Sequence, residues 1–91
     1  MKLHVLKIKK EYFFYVHCED KNFELRKDDR KYECSDLIHF VDEDGQEFPA
    51  HTDEIYRIKY ILRNKPQYGL QEGYCILGIE RLKGASDVGY D

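Results

Sequence analysis

Only one stretch of this chain spaces its apolar residues as a helix does, and that restricts the fold more than any other feature. From Lys10 to Cys18, Tyr12, Phe13 and Val16 fall at helical intervals and Phe13 and His17 stand four apart, which predicts a short helix. Every other apolar run reads as strand. Lys2 to Ile8 alternates loosely, with Leu6 and Ile8 on one side and Leu3 and Val5 on the other, as in a strand covered on both faces. Asn22 to Arg26 alternates cleanly, and the pattern predicts Phe23 and Leu25 on one face with Glu24 and Arg26 presented outward on the other.

Leu37 to Val41, Ile55 to Leu62 and Gly73 to Leu82 carry the β-branched and aromatic residues of strands, with Gly78 expected at a bulge or a close backbone approach. Asp42 to Gln46, containing Asp44-Gly45, is a hairpin-type loop signal. Glu47 to Glu54 reads as edge strand or loop, because Pro49 forbids a central-strand position. The order predicts an α+β chain: a small closed or nearly closed β-barrel of five to six mostly antiparallel strands with one or two covering helices. At 91 residues it is one domain, taken as residues 1–83, followed by a flexible tail at 84–91 that has too little apolar content to pack.

Charge is unevenly placed. The net value of −3 argues against an anionic partner, yet residues 1–31 carry nine Lys or Arg against six Asp or Glu, and residues 57–83 carry six against two. Residues 32–56 hold eight acids and no Lys or Arg. If the two basic segments are neighbours in the fold, they form one positive face of the kind an anionic ligand needs. No apolar run is long enough to span a membrane and Met1-Lys2-Leu3-His4 leads into no signal-peptide core, so no membrane partner and a cytoplasmic location are expected. Cys18, Cys34 and Cys75 read as buried, reduced thiols. His17 beside Cys18, and Cys34 five residues before His39, match no zinc spacing, so no metal and no cofactor are expected, the four histidines being surface or core residues.

The densest polar constellation runs from Lys21 to Arg30. Glu24 and Arg26 share a strand face with Lys21 near its start, so a lysine, a carboxylate and a guanidinium can converge on one pocket. There Arg26 would hold a phosphate or base edge in two-pronged fashion, Glu24 would accept from an exocyclic amine, and Lys21 would act as a point charge or, if desolvated, a base. The same residues also read as solvent-exposed ion pairs, the commoner fate of a charged strand face. Tyr32, just beyond the basic block, and Tyr68, in the loop beside Lys65, are the aromatic residues expected to stack on an unpaired base.

Lys21-x-x-Glu24-x-Arg26 resembles the signature of ASCH domains, small β-barrels of the PUA-like superfamily, and in particular a group of short bacterial and phage domains of undetermined function. His4-x-Leu6-Lys7, Tyr12-Phe13, Phe23 to Arg30, Tyr60-Ile61-Leu62, Gly69-Leu70 and Gly73 to Leu77 are similar to that group in order, over roughly residues 4 to 82. The resemblance implies a PUA-like barrel that binds RNA or a modified nucleotide in a cleft between barrel and helix. Some single-domain relatives in the wider family resemble amidohydrolases that deacylate N4-acetylcytidine, with a Lys-x-x-Thr motif where this chain has Glu24 in the Thr place.

The leading expectation is therefore a module for single-stranded RNA or a modified nucleotide, its cleft lined by Lys7, Lys21, Glu24, Arg26, Lys27, Arg30, Tyr32 and Tyr68. An amidohydrolase acting on an acylated nucleoside is the alternative, with Lys21 as base and Glu24 as proton shuttle. A third reading is a phage-type inhibitor that docks through the acidic segment Glu33 to Glu54.

Overall fold

The computed structural model describes residues 1–83. The expected tail, residues 84–91, lies outside the described residues. Five strands, β1 (Leu3–Lys7), β2 (Phe23–Lys27), β3 (Leu37–Val41), β4 (Ile55–Arg63) and β5 (Tyr74–Lys83), form one sheet in the order β1-β3-β4-β5-β2. Helix α1 (Lys10–His17) and a short 3-10 turn (Pro66–Tyr68) complete the elements. The sheet curls into a half-barrel, a small α+β architecture of the kind the element order predicts.

Strands β3 and β4, β4 and β5, and β5 and β2 pair antiparallel, whereas β1 and β3 run parallel. A parallel pair needs a long crossover, and here α1 and β2 lie within it. Strands of the two basic segments do become neighbours, since β2 lies against β5 and β5 against β4.

Helix α1 follows its apolar spacing, with Phe13 and Val16 buried and Tyr12, Phe14 and Tyr15 exposed. It stops where Glu19 enters the left-handed region at φ 64°, letting the Asp20 and Lys21 N–H groups donate to the Tyr15 carbonyl. Phe13 stacks on Phe48 with ring centroids 4.0 Å apart, and Leu6, Ile38, Phe40, Tyr56, Ile58, Leu77 and Ile79 fill the concave side of the sheet.

Several strand faces differ from their expected orientation. In β1, Leu3 and Val5 are exposed and His4 and Leu6 buried, so one face is covered, not two. In β2 the expected faces are exchanged: Glu24 is buried, while Phe23 and Leu25 are exposed. Pairing with β5 sets this, because Glu24 stands opposite Leu77, whose side chain belongs to the core. Residues between Asp42 and Glu54 form no strand; the Asp42 carboxylate accepts N–H bonds from Asp44 and Gln46 to make the turn, and the loop then inserts Phe48 into the core. Opposite Gly78 the ladder slips by one residue between Ile58 and Tyr60, so the bulged residue is Lys59 of β4. Of the thiols, only Cys75 is buried, its pKa pushed up to about 11 by burial, while Cys18 and Cys34 are exposed.

Candidate functional site

Lys21, Glu24 and Arg26 come together. Lys21 Nζ contacts Glu24 Oε1 and donates to the Phe23 carbonyl at 2.7 Å, and Arg26 Nη1 lies 3.3 Å from Glu24 Oε2. Glu24 is only 5% exposed, so the two cations supply the charge compensation a buried carboxylate needs. A solvated charged face is thereby replaced by a three-residue network at the sheet edge.

The same arginine holds the curled sheet closed. Strands β1 and β2 are the two sheet edges, and Arg26 Nη1 donates to the Lys7 carbonyl at 2.9 Å while Arg30 Nη1 donates to the Val5 carbonyl at 3.2 Å. Side chains from the β2 end of the sheet thus satisfy the outward carbonyls of β1, where a closed barrel would place a backbone ladder. Lys7, Lys27 and Arg30 are exposed around this seam.

Tyr32 is not a free stacking face. It is 2% exposed, its ring tilted against His4 at 4.8 Å between centroids, and burial raises its pKa despite the opposing pull of Arg26 and Arg30. The small barrel needed its aromatic volume. Tyr68, by contrast, is exposed in its loop on the 3-10 turn, and the bonds of the Lys21 network run among Phe23, Glu24 and Arg26 without it.

Two features beside Lys21 bring in residues that the sequence did not single out: the lining of the cleft between helix and sheet, and an apolar face. A cavity of about 280 Å³ opens between the C-terminal end of α1 and strands β4 and β5, lined by Val16, Lys21, Asn22, Tyr56, Lys59 and Arg81 among others. On the convex side, the ladders place Phe23, Gly78 and Tyr60 in one row and Leu25, Ile76 and Leu62 in the next, an apolar face on which Phe23, Tyr60 and Leu25 are exposed and Ile76 and Leu62 half-buried. Lys21 Nζ stands 4.9 Å over the Phe23 ring and 6.0 Å from the centre of Tyr12. The strand register carried this signal, and the register depends on a pairing partner some fifty residues away.

A second polar cluster lies where α1 meets the loop before β4. Glu54, 1% exposed, receives His17 Nδ1 at 2.9 Å and the Tyr56 hydroxyl at 2.9 Å on Oε1, and His51 Nδ1 on Oε2. Burial pushes the Glu54 carboxyl up, but hydrogen bonds from His17, Tyr56 and His51 outweigh it and hold the group below its usual range. His39 is tied in from β3, Nδ1 to the Glu54 carbonyl at 2.9 Å and Nε2 to Glu47 at 2.7 Å. Burial lowers the pKa of His39, and these bonds reverse the shift into a net rise. Two of the four histidines, His17 and His51, therefore share the Glu54 carboxylate, while His39 bonds its backbone carbonyl and His4 pairs with Asp36.

Comparison with curated proteins finds no match to the chain. Residues 3–79, which include every strand but the end of β5 and the whole of the Lys21 network, match the family model described as Domain of unknown function (DUF3850), and the protein belongs to that family.

Proposed function

We infer that the protein is an RNA- or nucleotide-binding module built on an ASCH-type, PUA-like half-barrel. The observation that carries this reading is the position of Lys21, which touches Glu24, stands over the Phe23 ring and lines the cleft between helix and sheet. A ligand with a phosphate and an unstacked base meets cations at Lys21, Lys59 and Arg81 in the cleft, and at Lys7, Lys27 and Arg30 along the seam. Glu24 and Arg26 hold the seam and fix Lys21, so their role is positioning. Phe23 and Tyr60, flanking Gly78 on the open sheet face, take over the stacking role expected of Tyr32.

The test is an amide NMR titration of labelled protein with mixed-sequence single-stranded RNA at low salt. Shifts should gather at Lys21 to Lys27, Tyr60 and Arg81 and fade as salt rises, and Lys21→Ala should weaken binding several-fold. Absence of shifts at millimolar RNA, or shifts only at distant residues, overturns the reading.

Direct contact of Lys21 with Glu24 also favours a second reading, hydrolysis of an acylated nucleoside, in which Lys21 first passes its proton to Glu24, the free amine then takes a proton from the attacking water, and the carboxylic acid delivers one to the departing amine. Incubation with N4-acetylcytidine at high enzyme concentration should then release cytidine and acetate, and lack of turnover rejects it.

A further inference from the structure

We propose that His17, His51 and Glu54 form a binding site for a divalent first-row transition ion, with zinc the best fit. One ring nitrogen from each histidine and one Glu54 oxygen lie within 4.8 Å of one another, and it is Nδ1 of each ring that faces the carboxylate. Around a tetrahedral zinc ion with bonds of 2.0–2.2 Å, ligand atoms stand about 3.3 Å apart. His17 and Glu54, at 2.9 Å, are already near that spacing, and small rotations of the two half-buried rings bring the third ligand in. Two imidazoles and one carboxylate are a donor set that suits zinc, leaving a fourth position for water.

The surroundings are built to orient these donors. Each imidazole presents Nδ1 to a different oxygen of Glu54, and the carboxylate is fixed from behind by the Tyr56 hydroxyl. Phe13 walls the rings, 6.2 Å from His17 and 5.3 Å from His51 between centroids. Such supporting contacts set ring orientation and ligand basicity at metal centres. Side-chain exposures of 22% and 23% for His17 and His51 provide an entry path that Glu54, at 2%, lacks.

Binding through Nδ1 requires each imidazole to be neutral with its proton on Nε2, so the ion takes the place of the two Nδ1 contacts to Glu54, and any proton on Nδ1 moves to Nε2 or leaves. Arg81 Nη1, 3.4 Å from His17 Nδ1, is the opposing positive charge, and Glu19 faces that guanidinium at 3.6 Å. Counting Glu54, Glu19 and Arg81, the neighbourhood is net negative and accepts a dication.

The experiment is isothermal titration of zinc into the full, tag-free chain, with cobalt followed by its visible absorption. One ion per chain and a tetrahedral cobalt spectrum are expected, with at least a tenfold loss of affinity in both His17→Ala and His51→Ala. A Cys18→Ser, Cys34→Ser variant should keep the stoichiometry. In the unaltered chain, zinc should shift the side-chain nitrogen resonances of His17 and His51 and leave His4 in place, a reading that holds even if a histidine variant unfolds. No stoichiometric uptake, unmoved His17 and His51 resonances, or binding lost only with the thiols overturns the site.

Discussion

A carboxylate withdrawn from water must have its charge answered inside the protein, and Glu24 is answered by residues three before and two after it. Arg26 does more than pair with it, since the same guanidinium donates to the Lys7 carbonyl and its charge opposes the burial-driven rise of the Tyr32 pKa. A lysine cannot span such a set, because its ammonium is a point donor on a flexible stem. Arg26→Lys should therefore cost about 1–3 kcal/mol, the scale of a hydrogen-bonded charged group left partly unsatisfied. Arg30→Lys, which exchanges one exposed bond to a carbonyl, should cost no more than about 0.5 kcal/mol. Urea unfolding of the two variants checks the ranking. That Glu24 and Arg26 share a face, with Lys21 near the start of the strand, was readable from the strand period; that Lys21 meets Glu24 was not. Which face turns inward was not, because alternation defines two sides and only the partner, here Leu77 opposite Glu24, says which is the core.

Element by element, the strands and the helix were readable because each is written in local spacing and side-chain shape. Glu47 to Glu54 resisted because its structure is set by distant contacts: Phe48 lies on Phe13, His51 beside His17, and the Glu54 carbonyl on His39. Nothing in the spacing of those residues announces a shared carboxylate. Gly78 was expected at a bulge or a close approach, and the bulge lies opposite it, on β4. Close approach is not the reason for the glycine, since an added Cβ would sit 3.5 Å from the Tyr60 Cβ, an ordinary contact. Gly78 also lacks the positive φ of Gly45, Gly69 and Gly73. Gly78→Ala should consequently stabilise the protein by about 0.5 kcal/mol, as the unfolded chain loses freedom and the strand gains a side chain. A rise in the urea midpoint checks this, and a fall would show that the bulge needs the glycine.

For the molecule as a whole, the start of β1 and the start of β3 are fastened by Asp36. Its carboxylate accepts from the Lys2 N–H at 3.0 Å, the Glu33 N–H at 3.1 Å and His4 Nε2 at 2.8 Å. Burial raises its pKa, but these bonds outweigh burial and the net shift is downward. A carboxyl lowered in the folded state stabilises fully above its unfolded value, near about 4, and that contribution disappears as pH falls through the folded value. The stability difference between the protein and Asp36→Asn should thus be constant from about pH 7 to 5 and shrink below about pH 4. Urea titrations across that range measure it. The β-rich, one-helix architecture was visible from the order of elements, but the parallel β1–β3 pair was not, because strand direction is decided by where the crossover packs.

The strand order carries a consequence for synthesis. Phe23–Lys27 is made early, yet among the described residues its one strand partner is Tyr74–Lys83. While a ribosome is still adding the intervening residues, that segment has no ladder to join, and neither arginine has a finished seam to hold. Folding is set to wait for that distant partner, so the half-barrel forms only once the segment Tyr74–Lys83 has been made and can reach back to Phe23–Lys27.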